Sequence, residues 1–314
     1  MLENIILVSK QVGVLFALMS VGFFCNRRRL LNDVAIKGVT ELLVLIVTPC
    51  VIIHSFIQQK FAVSLLGDLG WALAAAVFAH VVGSVIALAC LKSRDPKREG
   101  VLRFAVIFSN AGFMGLPLEY AILGADGVFF GAMYVVVFNI ACWTWGVAVM
   151  CRGAKVTNLR SILVNPGTVG VTLGLPFFLF SMKLPEVVGR PLEMMADLNT
   201  PLAMIMVGWY LAESGMCNVE SVKWKVIVLR LVVVPLAMIG VFAGIRVCVH
   251  ALNPVMVVAI VTATAAPVAA LTTVIAARYD RDASMATRLV SGTTLLSILT
   301  MPPIIGFALW LFGR

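Results

Sequence analysis

Ten apolar stretches, each about 20 residues long, divide almost the whole chain between them. They run roughly over residues 6–25, 38–57, 69–91, 104–123, 128–150, 162–182, 191–212, 224–249, 255–277 and 289–312. A helix of that length matches the hydrocarbon core of a bilayer, about 30 Å at 1.5 Å per residue. In that core every backbone N–H and C=O must be satisfied within the protein, which leaves an all-α polytopic membrane protein as the fold class. Composition agrees, since 61% of the 314 residues are hydrophobic and only 12% are charged. No soluble domain fits between the spans.

The formal net charge of +9 would suggest nucleic acid in a soluble chain, but its distribution marks membrane orientation instead. Arg27, Arg28, Arg29 and Lys37 follow the first span, and Lys92, Arg94, Lys97, Arg98 and Arg103 follow the third. Arg152, Lys155 and Arg160 follow the fifth, Lys223 and Lys225 the seventh, and Arg278, Arg281 and Arg288 the ninth. These are 17 of the 24 Lys and Arg, all on one face. The positive-inside rule predicts that these loops are cytoplasmic and both termini extracytoplasmic, in a multi-pass protein of the cell membrane. Met1-Leu2-Glu3-Asn4 is acidic rather than basic, so the first apolar run reads as a span and not a signal peptide.

One span is unlike the others. Ser109-Asn110-Ala111-Gly112-Phe113-Met114-Gly115-Leu116-Pro117-Leu118 carries an asparagine, two glycines and a proline in the middle of the fourth apolar run. Proline removes a backbone donor, and glycine leaves helical geometry cheaply. Unwound backbone at membrane depth is tolerated only inside protein or beside a watery cavity, so the segment marks an interior that binds something. Pro267, in the ninth span, follows Pro117 by 150 residues, and Pro201, in the seventh, follows Pro49 in the second by 152. The spacing predicts two repeats of five spans, residues 1–151 and 162–314, joined by a short cytoplasmic linker, 152–161. Five is odd, so the copies are inverted, and spans four and nine are expected to break and cross.

A crossing of broken helices presents half-helix N-termini, whose free N–H groups and partial positive charge suit a carboxylate. The donors are expected around Gly115 and Leu116, and around Ala265 and Ala266. Asn110 bonds either the freed backbone or the substrate, and the hydroxyls of Thr262 and Thr264 serve either purpose. Phe113 and Met114 form an apolar wall or simply pack. No lysine or arginine lies near either break in sequence, which leaves recognition to backbone dipoles. Ionisable residues within spans are candidates for coupling. Glu119 follows the break and suits proton coupling or an external gate, or else reaches the outer interface. Asp197 precedes Pro201 by one turn and caps that helix end or joins the gate. His54 titrates in the right range but also suits an interfacial position. Arg230 and Glu41 lie towards the inner face, where a structural ion pair or snorkelling is the expected role.

The seven cysteines form no CxxC pair and no metal-ligand spacing, and read as packing residues. Tryptophans near span ends read as interfacial belts. The chain has no HExxH, GxSG, GxGD or Walker loop, so the usual protease and nucleotide chemistry lacks its residues. No cofactor or metal is expected. A receptor or channel remains an alternative to a carrier.

Asn110-Ala-Gly-Phe-Met-Gly-Leu-Pro-Leu118, Asn165-Pro166, Pro201-Leu-Ala-Met-Ile-Met-Val-Gly208, Ala266-Pro267 and Ala276-Ala277-Arg278-Tyr279 together resemble the auxin efflux carrier family. The likeness runs over essentially the whole chain. It implies helices 1, 2, 6 and 7 as a scaffold that forms a homodimer, and helices 3, 4, 5, 8, 9 and 10 as a moving transport domain. It also implies substrate beside the crossover and an elevator-like shift. Plant members export indole-3-acetate, and bacterial members are assigned to small organic acids such as malate or malonate. Such a carrier takes a small organic anion, with H+ or, less favoured, Na+ as coupling ion, as in the related bile acid symporters. The region from Cys151 to Ile162 is too short for the long central loop of many plant members.

Overall fold

The computed structural model describes residues 1–151, 166–213, 221–248 and 252–313. The linker 152–161, with Arg152, Lys155 and Arg160, lies outside the described residues, as do Asn165 and Cys217. Every regular element among the described residues is helical. In chain order they are α1 (Leu2–Arg27), α2 (Asp33–Leu42), α3 (Thr48–Gln58), α4 (Val63–Cys90), α5 (Pro96–Ile107), α6 (Leu116–Ala141) and α7 (Val147–Cys151). The second part holds α8 (Pro166–Leu179), α9 (Glu186–Asp197), α10 (Asn199–Glu213), α11 (Ser221–Val228), α12 (Val234–Cys248), α13 (Pro254–Ala265), α14 (Leu271–Arg278) and α15 (Ala283–Phe312).

Side-chain caps and prolines set several starts. Asp95 Oδ1 accepts from the Lys97 N–H and Asn253 Oδ1 from Val255, each ahead of a proline in the first helical turn. Asn32 and Asp282 cap α2 and α15 through the N–H groups of Ala35 and Met285.

Among the described residues, six helices are long and apolar enough to cross a bilayer on their own: Leu2–Arg27, Asp33–Gln58, Val63–Cys90, Ala111–Cys151, Trp224–Val247 and Ala283–Phe312. The sequence predicts ten spans, and the difference has a physical cause. The fourth, seventh and ninth stretches are each divided, and the described part of the sixth is the 14-residue α8.

Wide π turns join several of these pieces, at Leu43–Val47, Ala111–Gly115, Cys142–Gly146 and Leu229–Val233. Three of the four end two residues before a proline, Pro49, Pro117 or Pro235. A proline cannot donate to the carbonyl four residues back, and its ring crowds that carbonyl, so the extra residue of a π turn relieves both problems. Pro49 therefore leaves α2 and α3 as one continuous span rather than breaking it. Thr48 Oγ1 takes up the Leu43 carbonyl at 2.9 Å. Pro201 lies in the first turn of α10, after the chain leaves the helix between Asp197 and Asn199.

Small residues set the helix pairing. A methyl group on Gly22 would lie 2.0 Å from the Ile205 carbonyl oxygen, and one on Gly208 would lie 1.9 Å from that of Met19. The backbones of α1 and α10 therefore touch through reciprocal glycines, the usual way for membrane helices to gain packing contact. Gly170 and Gly174 of α8 sit in the same manner against Pro49, Ile52, Ile53 and Phe56 of α3.

Polar contacts tie the helix ends. At one end Asn26 bonds Glu213 at 3.0 Å, Lys97 pairs with Asp280 at 2.6 Å, and Arg98 pairs with Asp282 at 3.1 Å. The exposed Asp280 carboxyl is held below its usual range by the hydrogen bond and charge of Lys97. At the other end Gln59 bonds Asp126 at 2.6 Å, and the Phe61 N–H bonds Ser181 Oγ at 3.0 Å.

Candidate functional site

The fourth and ninth apolar stretches both unwind, and the two breaks lie side by side. Phe108 is extended after α5, and Ala266 is extended after α13, as the residue before a proline must be. The Asn110 N–H donates to the Pro267 carbonyl at 2.7 Å, and the Ala269 N–H donates to the Phe108 carbonyl at 3.0 Å. Ser109 and Val268 thereby form an antiparallel bridge, the single isolated one among the described residues. The Val268 N–H reaches Thr293 Oγ1 on α15 at 3.1 Å.

The break in the fourth stretch falls at Phe108–Asn110, about two helical turns earlier than Pro117 suggests. Pro267 lies inside the extended segment, whereas Pro117 lies in the helix that follows the π turn. The two prolines 150 residues apart are therefore not structural counterparts. The donor positions shift accordingly. Gly115 N–H is already bonded to the Asn110 carbonyl at 3.1 Å, as is Met114 N–H at 3.0 Å. The free N–H groups of the restarting helix belong to its opening turn, Ala111, Gly112 and Phe113. In the ninth stretch, Ala265 and Ala266 end α13, and the restarting donors are those of Ala270 and Leu271 at the start of α14.

Arg230 stands at this crossing. It is fully buried in the π turn Leu229–Val233, although its sequence position suggested a structural ion pair or snorkelling towards the inner face. Glu41 is exposed. The Arg230 guanidinium donates to the carbonyls of Val106 at 2.9 Å and Ile107 at 3.4 Å, to Ala266 at 3.3 Å, and to Thr264. One side chain thus caps the C-terminal ends of α5 and α13 together. The expectation that no basic residue lies near the breaks is corrected by this contact, which sequence distance conceals. An arginine in the middle of the apolar run Trp224–Val247 was the available signal.

Asn110 precedes the restarting helix, is 4% exposed, and its side-chain amide has no hydrogen bond among the described residues. Thr272, the second residue of α14, is fully buried with its hydroxyl unpartnered. Thr294 on α15 is also buried and unpartnered. Neither threonine stood out in the sequence, where a hydroxyl in an apolar run is ordinary. Beside Asn110, Gly112 faces open space, with nothing within 4 Å of where a Cβ would be. Thr262 and Thr264, the threonines singled out from sequence, donate back to their own helix, to Val258 and Val261, both at 2.8 Å. Phe113 is half-buried against the core, and Met114 is buried beside Ser297.

Glu119 is 1% exposed, and neither carboxyl oxygen has a partner. It does not reach an outer interface. A methyl group on Gly131 would lie 1.7 Å from Glu119 Oε2, and one on Gly115 would lie 3.5 Å from Oε1. In a straight helix residues 119 and 131 would stand ~18 Å apart (12 × 1.5 Å), so α6 folds back as a hairpin. The turn is Gly124, at φ +67°, a conformation glycine adopts without strain. His54 and Asp197 line one cleft, whose walls also include Ser55, Tyr120, Asn199 and Thr200. Glu119 is not part of that cleft. Asp197 makes no capping bond, and His54 Nε2 contacts Gln58 at 3.1 Å. On the other side of the break, Ser109 Oγ lies 3.2 Å from the Tyr134 hydroxyl, and the Tyr134 ring lies 5.0 Å from that of His80. His80 Nδ1 bonds the Ala76 carbonyl at 2.7 Å, and Nε2 is buried without a partner.

Helices broken inside an apolar bundle, with backbone ends turned to one another, are characteristic of membrane transporters as a class. Comparison with protein families narrows the class. The sequence model of the membrane transport protein family, the auxin efflux carrier family, matches residues 7–158 and again 152–305. The chain belongs to this family, and its six long apolar helices suit a multi-pass membrane protein. No curated protein matches the chain.

Proposed function

We propose that this family member is a secondary carrier that moves a small organic anion, a carboxylate, across the cell membrane. Its ten spans form two inverted five-helix repeats, helices 1, 2, 6 and 7 are the scaffold of a homodimer, and the remaining helices carry substrate in an elevator-like movement. The observation that carries the reading is the paired break: two extended segments bonded side by side, each followed by a restarting helix, with the Asn110 amide unbonded next to open space at Gly112. Free N–H groups at helix starts favour an anion over a cation. The double match of one family, with an odd number of apolar stretches in each half, supports the inverted repeat. The close pairing of α1 with α10 and of α3 with α8 supports a scaffold made from those four spans.

Proton coupling is preferred to sodium coupling. An unpaired carboxylate is expensive to bury, so Glu119 must bind a cation or carry a proton, and no group of carboxylates or histidines able to hold a metal ion occurs among the described residues. The cleft with His54 and Asp197 is the external gate.

Purified protein tested against mono- and dicarboxylates by thermal shift should respond to a carboxylate. Saturation near 100 Kd corresponds to about 2.7 kcal/mol of stabilisation. Asn110→Ala should abolish the response while the unliganded melting temperature stays unchanged. In proteoliposomes, uptake should show counterflow and should persist when sodium is replaced by choline. A response to no carboxylate would remove the anion reading, absence of counterflow would favour a channel or receptor, and loss of uptake without sodium would favour the sodium-coupled alternative.

A further inference from the structure

The positive charges on the basic side of the protein are not all answered alike. Lys97 pairs with Asp280, Arg98 with Asp282 and Arg103 with Glu99, and the Arg278 guanidinium stands over the Trp143 ring. Arg27, Arg28 and Arg29, at the end of α1, are exposed, and among the described residues no carboxylate pairs with them. The Glu213 carboxylate at this end is taken up by Asn26.

Two of the three arginines turn back along the helix. The Arg27 guanidinium lies 5.2 Å from the centre of the Phe23 ring, and that of Arg28 lies 5.4 Å from the centre of the Phe24 ring. Both rings are exposed, at 38% and 51%, off the face of α1 that carries Gly22 and Asn26 to α10. Val14 and Val21 continue the exposed apolar surface along the helix. In a membrane-spanning helix such a surface faces lipid. Long helical side chains point towards the N-terminus, which at this end of α1 brings the cations down onto lipid-facing rings. An arginine that serves only to set orientation does better to snorkel outward into water. Arg29 adds a third charge in a costly place. Its N–H bonds the Asn26 carbonyl and the Leu30 N–H bonds that of Cys25, both at 2.9 Å, and its φ is +56°, where glycine would sit without strain.

We propose that the end of α1 binds one anionic phospholipid of the leaflet on the basic side. Its phosphate sits among Arg27, Arg28 and Arg29, and its glycerol and upper acyl chains lie along Phe24, Phe23 and Val21. Guanidinium donors match phosphate oxygens in geometry and charge. A free phosphate would meet the charges but leave the rings beneath them uncovered, so the combination of cations and lipid-facing aromatics favours a lipid. Because Gly22 and Gly208 bring the backbones of α1 and α10 together, the lipid is bound to that helix pair. The inference is independent of what the protein transports.

The test uses the full-length protein purified in detergent and titrated with phosphatidylglycerol or phosphatidylcholine of identical acyl chains. Retained lipid is counted by native mass spectrometry. The wild type should prefer phosphatidylglycerol by about fivefold per arginine, on the order of a hundredfold in all. The preference should fall as salt is raised. Arg27→Gln/Arg28→Gln/Arg29→Gln should lose it, whereas Lys97→Gln/Arg98→Gln, which removes paired charges from the same side, should keep it. Arg29→Gly should raise the melting temperature of the lipid-free protein and still lower the preference by about fivefold.

Equal retention of the two lipids by the wild type, or an undiminished preference in the triple variant, overturns the proposal. An equal loss in Lys97→Gln/Arg98→Gln overturns it too, because net charge and not the α1 cluster would then be responsible. Displacement of phosphatidylglycerol by an equimolar amount of glycerol phosphate would mark a soluble-anion site and reject the lipid. If the triple variant does not fold, the preference of Arg29→Gly and the salt dependence of the wild type decide the matter.

Discussion

At residue 131 the absence of a single methyl group lets a carboxyl be buried. The Glu119 side chain fills the space that a Cβ on Gly131 would need, 1.7 Å from Oε2. Gly131→Ala must push the carboxyl aside or spread the hairpin, and overpacking of this kind costs about 1–3 kcal/mol. The melting temperature of the purified protein should fall accordingly. Glu119→Ala should restore most of the loss in the double variant, because it empties the contested space, and a double variant no more stable than Gly131→Ala alone would mean that the clash lies elsewhere. Glu119→Gln keeps the shape and removes the proton site, so it should leave the melting temperature nearly unchanged and flatten the response of transport to a pH gradient. The sequence singled out Glu119 because an acid inside an apolar run is conspicuous. It could not show that the acid faces Gly131, since that contact depends on a reversal at Gly124. Arg230 was just as conspicuous and was misread for a related reason: it stands more than 30 residues from the Thr264 and Ala266 carbonyls and more than 120 from those of Val106 and Ile107.

At the scale of helices, local chemistry was more legible than position. Glycine, proline and asparagine in the fourth stretch announced a break, and Pro267 marked its partner to the residue. The break itself moved to Phe108–Asn110, because a π turn absorbs Pro117 without unwinding the helix around it. The same compensation keeps the span through Pro49 continuous. Helix pairing was not legible, because glycines in apolar runs do not say which helix they touch. Gly208 and Gly22 show what the pairing requires. Gly208→Ala would put a methyl group 1.9 Å from the Met19 carbonyl oxygen, against backbone that cannot swing away. Separating α1 from α10 should cost about 1–3 kcal/mol, with the melting temperature several degrees lower. Gly13→Ala, also in α1, meets nothing within 4 Å, and should be neutral or slightly stabilising because alanine favours the helix. Equal effects at the two positions would mean that helix propensity rather than close approach governs them.

For the whole molecule, the arrangement of ends makes a prediction about sidedness that the basic loops alone could not. Lys97 pairs with Asp280 and Arg98 with Asp282, so the starts of α5 and α15 share one end with the end of α14. Gln59 pairs with Asp126, which puts the end of α3 and the hairpin turn of α6 at one end too. Between Gln59 and Lys97 the chain passes once through α4, a 28-residue apolar helix, so the two pairs must lie on opposite sides of the bilayer. The excess of Lys and Arg on the first side predicts that it faces the cytoplasm. In a background without the native cysteines, Asp126→Cys should react with a membrane-impermeant maleimide in intact cells, and Lys97→Cys only after the membrane is permeabilised. The reverse pattern would invert the orientation but keep the fold. Labelling of both from one side would break the alternation on which the inverted repeat, and with it the crossing of two oppositely oriented helices, depends.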